Sequence, residues 1–165
     1  VIESAAEPHM DRGKDVILSL PGEDTAAGPQ PAILRMPEII HGLRNLIQNA
    51  VDFAATSVWV EASWTEDFVT VRILDDGPGF PPEIIDRIGE PYMTTRSSGQ
   101  SSGGGLGLGL FIAKTLLERG GAALEFSNRP APETGASIRI AWPREIFEAG
   151  ASFPSGYPNA AAEPR

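Results

Sequence analysis

The chain contains no cysteine, which removes disulfides, thiolate metal sites and thiol catalysis from consideration. No run of about 18 apolar residues occurs, the length needed for a helix to cross a bilayer. Positive charge is scarce too: 13 Lys and Arg stand against 22 Asp and Glu, for a net charge of −9. A chain this acidic is poorly suited to wrapping nucleic acid or docking on anionic lipid. A phosphate ligand has to be held by local features: backbone N–H groups, a metal ion or a single cation. The opening residues, Val1-Ile2-Glu3-Ser4-Ala5-Ala6-Glu7-Pro8, lack the basic-then-apolar order of a secretory signal. The absence of cysteine suits a reducing compartment.

What is present is enough for one domain: 165 residues, 41% of them hydrophobic. Residues 1–14 read as a polar lead-in, compatible with the end of a helix from a preceding segment, residues 15–148 as the domain, and residues 149–165, with their prolines, glycines and alanine run, as a disordered tail. Within the domain, residues 16–20 and 33–36 read as short strands flanking a Pro/Gly/Ala-rich loop. Pro37 then opens a helix, because Ile39, Ile40, Leu43, Leu46, Ile47, Ala50, Val51 and Ala54 recur at three- and four-residue steps. Val58, Val60, Ala62 and Trp64 alternate with Ser57, Trp59, Glu61 and Ser63, the period of a strand. Glu66-Asp67 turns into a second strand over 68–74, making a hairpin. Residues 81–88 predict a short helix and 93–105 a long Ser/Thr/Gly loop, a length usually reserved for function. Residues 106–119 predict a helix capped by Gly120-Gly121, and 122–127 and 137–142 two last strands. The order predicts an α/β two-layer sandwich: a mixed, mostly antiparallel sheet of about five strands with helices on one face.

Three segments carry chemistry. Asn45 and Asn49, four apart on the long helix, lie on one stripe, and an amide oxygen is a neutral hard ligand suited to Mg²⁺. Taken alone they also fit ordinary surface amides. Asp75-Asp76-Gly77-Pro78-Gly79 follows a strand: a carboxylate there accepts from an amine such as the adenine NH₂, and the glycines let the backbone approach a flat ring. Alone it also fits a plain turn. Gly103-Gly104-Gly105-Leu106-Gly107-Leu108 opens the last long helix, where free N–H groups make a phosphate cradle. The alternative there, a flexible linker, is weakened by the leucines that interleave and run on into Leu110, Phe111, Leu116 and Leu117.

In this order and spacing the motifs resemble the GHKL superfamily of ATP-binding domains in its histidine kinase branch. Asn45–Asn49 resembles the N box, Asp75–Gly79 the G1 box, Gly103–Leu108 the G2 box, and Glu90-Pro91-Tyr92-Met93-Thr94-Thr95-Arg96 the F box. Gly135-Ala136-Ser137-Ile138 sits where a final Gly-Thr motif is usual. The resemblance runs from about Asp15 to Pro143, and the wording around the N box is similar to the redox-responsive RegB/PrrB kinases. It implies that Asn49 ligates Mg²⁺ with Asn45 beside the phosphates, that Asp75 binds the adenine amine, and that Gly77 and Gly79 floor the base pocket. It implies further that residues 93–105 form a lid hinged at Gly105 and Gly107, with Gly103, Leu106 and Leu108 beside the phosphates and Arg96 on the γ-phosphate. Positioning and charge neutralisation are what phosphoryl transfer mostly needs.

The chain departs from the pattern in three places. Asp52 stands where many members carry Lys or Arg, and Ala136 replaces a hydroxyl. Neither histidine, His9 or His41, is followed by an acidic residue, so the phosphoacceptor is expected before Val1, with the dimerising helices. The expected function is Mg-ATP binding and γ-phosphoryl transfer to a histidine outside this chain, in a cytoplasmic domain of a membrane-anchored kinase. The expected partners are its own dimerisation and phosphoacceptor domain and a response regulator; neither nucleic acid nor membrane contact is expected of this segment. The alternatives are an ATPase of the gyrase, MutL or HSP90 type and a non-catalytic nucleotide sensor. The ATPases resembled carry Glu four residues before the Mg-ligating Asn as a general base. Here that position is Asn45, and an amide takes no proton.

Overall fold

The computed structural model describes residues 1–21, 31, 36–88, 90 and 108–148. The strand expected over 33–36 falls outside this set except for Met36, and so do the 93–105 loop, Arg96, Gly103, Gly105, Leu106, Gly107 and the tail from 149.

Five strands form one sheet: β1 (Asp15–Ser19), β2 (Ser57–Trp64), β3 (Phe68–Asp75), β4 (Ala123–Asn128) and β5 (Ala136–Pro143), in the order β1-β2-β3-β5-β4. Only β1–β2 is parallel; the other three pairings are antiparallel. The sheet is therefore mixed and mostly antiparallel, as the sequence predicts. Strand alternation sorts the side chains by face. Val58, Val60, Val69, Val71, Ile73, Ile138, Ile140 and Trp142 lie on one face and are buried. The other face carries the pairs Arg72–Glu61 at 3.4 Å and Arg139–Glu125 at 4.0 Å, both solvent-exposed.

Two helices cover the apolar face, α2 (Pro37–Phe53) and α3 (Leu108–Arg119). Pro37 occupies the first turn of α2, where its missing N–H costs nothing. The predicted apolar stripe is the one buried: Ile39, Leu43, Leu46, Ile47, Ala50 and Val51. Gly42 lies under Leu117 of α3; a Cβ at residue 42 would sit 2.5 Å from Leu117 Cγ, so the bare backbone sets how closely the helices approach. α3 ends in a Schellman motif. Gly121, at φ +80°, donates to Glu118 O at 2.9 Å, and the Ala122 N–H reaches Leu117 O at 3.0 Å.

One element differs from expectation. Residues 81–88 form turns around one 3₁₀ segment, Ile85–Arg87, in place of an α-helix. Its bonds step by three, Ile84 N–H to Pro81 O and Arg87 N–H to Ile84 O, because Pro81 and Pro82 supply no donors and the stretch is too short to nucleate a full helix. The polar-looking start contains a short helix, α1 (Ile2–Ala6), followed by a 3₁₀ turn at Glu7–His9. Ala5 and Ala6 are fully buried, and α1 packs on α2. Small side chains permit that close approach, and composition alone hides it. Arg44 Nη2 donates to Ser4 O at 3.4 Å, and Arg12 pairs with Asp52 at 3.1 Å. Asp52, the acid in a position where the resembled family often has a cation, is thus occupied in tying residue 12 to α2. A last short helix, α4 (Glu145–Glu148), sets Phe147 against Trp142, ring centroids 6.0 Å apart.

Candidate functional site

β3 ends at Asp75 on the helix-facing side of the sheet, and the carboxyl is buried there at 3% exposure. Its Oδ1 accepts the N–H of Gly77 at 2.8 Å and the N–H of Ala136 at 3.1 Å. Among the described residues its Oδ2 has no protein partner, and Asp75 lines a cavity of about 300 Å³. Burial raises the Asp75 pKa above the usual carboxylate value; the Gly77 and Ala136 N–H groups pull against it, nearby Asp76 adds to the rise, and Arg129 opposes it. From the sheet's open face, Arg129 Nη1 donates to the Asp75 main-chain carbonyl at 3.2 Å. Its guanidinium pairs with Glu133 at 2.9 Å and lies 4.9 Å from the centroid of the Trp59 ring.

The next carboxylate behaves oppositely. Asp76 turns away and accepts from the N–H and hydroxyl of Thr56 and from the N–H of Ser57. Partial desolvation raises its pKa, but these hydrogen bonds outweigh it and hold the value at about 2. Asp76 fastens the start of β2, while Asp75 is left to the cavity.

Glycines let the backbone pack closely here. A side chain at Gly77 would run into the Phe53 carbonyl, and one at Gly135 into the main chain of Asp75. Gly135, at φ +115°, also holds a backbone that other residues rarely adopt. The cavity is walled by Asn49, Ala50 and Phe53 of α2, by Pro78, Gly79, Phe80, Pro81 and Pro82 of the loop after β3, and by Ala136 and Ile138 of β5.

Of the residues singled out in the sequence, the fold brings Asn49, Asp75 and Gly79 to one cavity and sets Gly77 behind Asp75. Asn45 lies one helical turn from Asn49, outside the lining. Neither amide has a protein hydrogen-bond partner among the described residues. Leu108 is the exposed first residue of α3 and does not line the cavity. Phe53, Phe80 and Ile138 also wall the cavity, which the sequence motifs do not indicate. Phe80, directly after Gly79, carried a signal, an apolar ring inside a polar turn; Phe53 read only as the end of a helix. Ala136 lacks the hydroxyl usual at its position, and what it supplies is its main-chain N–H.

The family model described as histidine kinase-, DNA gyrase B- and HSP90-like ATPase matches residues 36–146, from the start of α2 to α4. The chain belongs to this family. Proteins similar to the chain include sensor histidine kinases. The sensor histidine kinase RegB of Cereibacter sphaeroides is 50% identical over 157 residues, covering 87% of this chain and 34% of that protein. The chain thus spans about a third of the length of the RegB kinases and less of other curated relatives it matches. Among solved structures, the mycobacterial sensor histidine kinase MprB superposes with a TM-score of 0.67 at 24% identity, covering 86% of this chain and 92% of that one. Full-length ShkA in complex with AMPPNP gives a TM-score of 0.66 at 26% identity, covering 86% of this chain and 28% of that one. The ATPase-family fold is therefore the one the sequence predicts, in its histidine kinase branch. No helix among the described residues is long and apolar enough to cross a membrane.

Proposed function

We propose that this domain binds Mg-ATP in the cavity at the end of β3 and presents the γ-phosphoryl group to a histidine outside the chain, in two-component signalling. The supporting observation is the Asp75 carboxylate: one oxygen is pinned by two main-chain N–H groups, and the other is left without a protein partner on a cavity wall. An anionic acceptor held this way suits the exocyclic amine of adenine and repels a carbonyl in the same place. Phe53, Phe80 and Ile138 supply apolar contact for the base. Asn49, with Asn45 a turn away, would hold Mg²⁺ through amide oxygens, and the bound ion would neutralise charge on the phosphates. Arg96 and the glycines 103, 105 and 107, with Leu106 and Leu108, complete the phosphate side of this reading.

Phosphoryl transfer to imidazole needs no protein base, because a neutral ring nitrogen attacks phosphorus directly and ADP leaves. The walls fit that demand. Asp75 is the one carboxylate among the described lining residues, and two N–H groups already bind it. The position of a hydrolytic glutamate is Asn45, which argues against water activation. The reading places the domain in the cytoplasm, working with its own dimerisation and phosphoacceptor segment and passing the phosphoryl group to a response regulator.

Calorimetry with a non-hydrolysable ATP analogue tests it. Binding should require Mg²⁺, and Asp75→Asn should weaken it roughly 30-fold, the loss of one charge-assisted hydrogen bond. Equal affinity in both proteins, or indifference to Mg²⁺, would refute the assignment. Given binding, the domain plus ATP should label a separately supplied phosphoacceptor segment with acid-labile phosphate.

A further inference from the structure

The base cavity has a wall with no secondary structure of its own, residues 76–82. Asp75 and Asp76 hold its start, and one side chain from β4 holds its Gly79–Phe80 part. The Phe80 N–H donates to Asn128 Oδ1 at 2.6 Å, and Asn128 Nδ2 donates to the Phe80 carbonyl at 2.8 Å. A primary amide is planar and offers one acceptor and two donors side by side, which matches the N–H and C=O of a strand residue. Asn128, the last residue of β4, thus extends the sheet by a two-point contact onto this wall. Gly79, at φ +78°, lies so close that a Cβ there would be 2.6 Å from Asn128 Oδ1. The Phe80 ring meets Phe126 of β4 edge-on, centroids 6.1 Å apart. Main chain and ring are both held by β4.

The register shows what this accomplishes. Asn128 is paired across the β4–β5 ladder with Ala136, and Ala136 is the residue whose N–H pins Asp75 Oδ1. One rung of the sheet therefore grips both sides of the cavity. Ala136 fixes the carboxylate, and Asn128 fixes the Gly79–Phe80 wall at a set distance from it. Hydrogen bonds weaken steeply with misalignment, so a base reaches Asp75 in good geometry only if that spacing is kept.

We propose that Asn128 is a positioning residue for base recognition, acting through Phe80 and Gly79 without touching the nucleotide. The inference rests on the nucleotide-site reading above. Asn128→Asp keeps size and shape, still accepts the Phe80 N–H, and replaces the donor with an oxygen facing the Phe80 carbonyl. Asn128→Ala removes both contacts.

The test is calorimetry on the chain with non-hydrolysable ATP and GTP analogues and with inorganic triphosphate. Both variants should weaken the ATP analogue about tenfold and shrink the ATP/GTP preference by a similar factor. Triphosphate affinity should stay put, a pattern that general loosening of the fold would not produce. In the unmutated chain, hydrogen exchange should find the Phe80 amide protected although it lies outside any strand. Wild-type affinity and selectivity in the two variants, or a rapidly exchanging Phe80 amide, would overturn the proposal; the exchange result stands even if a variant fails to fold. Failure of the underlying reading looks different: the unmutated chain ignores the ATP analogue, or Asp75→Asn binds it equally well, while Phe80 stays protected. That outcome removes the nucleotide site and the role of Asn128 with it.

Discussion

At the scale of single residues, two neighbouring carboxylates face opposite ways, Asp76 onto the start of β2 and Asp75 into the cavity. Asp75 is buried with its pKa raised, so its charge is disfavoured in the fold, and protonation below the folded value favours the native state. Asp76 is held at about 2 by Thr56 and Ser57. Its contribution is present above the ordinary carboxylate value and is lost as pH falls from there through about 2. The two substitutions should therefore separate. Asp75→Asn keeps an acceptor for Gly77 and Ala136, and it should leave the urea midpoint unchanged or higher while abolishing tight nucleotide binding. Asp76→Ala should cost about 1–2 kcal/mol after discounting for solvent screening, with nucleotide affinity preserved at a temperature where it is folded. A loss of stability in both would mean that Asp75 is a structural acid. In the sequence only the family resemblance distinguishes Asp75 from Asp76; the fold supplies the physical reason, since Asp75 ends β3, Asp76 follows it, and one side chain turns to each side.

At the scale of elements, the contact between α2 and α3 runs through Gly42. Replacing a helical glycine by alanine ordinarily gains about 1 kcal/mol. Here the new Cβ meets Leu117, a side chain with no exposed surface that has little room to yield. Gly42→Ala should instead destabilise by about 1–2 kcal/mol. The double variant with Leu117→Ala should be less damaged than the sum of the singles, because the methyl group partly fills the space the leucine leaves. Additive losses in chemical denaturation would show that the helices do not meet there. The α2 stripe was plain in the sequence because burial on one side imposes a 3.6-residue period. The crossing point was not, because a glycine in a helix reads as a defect until a partner is set against it. The 81–88 segment misled for the converse reason: Pro-Pro-Glu resembles a helix start, but too few residues follow to continue one.

At the scale of the whole molecule, the N-terminal residues that pack on α2 include a buried histidine. His9 is 4% exposed, and neither ring nitrogen has a partner among the described residues. Burial lowers its pKa, and the charges of Arg12 and Arg44 lower it further; Asp52 and a weak approach to the Arg44 main chain, short of hydrogen-bond geometry, oppose this. The unfolded chain therefore takes up this proton more readily than the fold does. Stability should fall as pH drops below about 6.5 towards the folded value. Thermal unfolding should show a lower midpoint at about pH 5.5 than at about pH 7.5, and His9→Leu should flatten that limb. The one other histidine, His41, is exposed. An unaltered slope in His9→Leu would place the acid sensitivity elsewhere.

The sequence by itself determined the two-layer plan, the long helix and its buried stripe, the hairpin, and the motifs that supply Asn49, Asp75 and Gly79. All of these are local: periodicity, turn chemistry and short spacing are written in consecutive residues. Tertiary structure alone decided that Ala136 pins Asp75, that Asn128 clamps Phe80 from 48 positions away, that Asp52 holds Arg12, and that α1 is part of the core. Those contacts join distant parts of the chain. Their geometry exists only once β5 has inserted between β3 and β4, a pairing that hydrophobic alternation permits but does not specify.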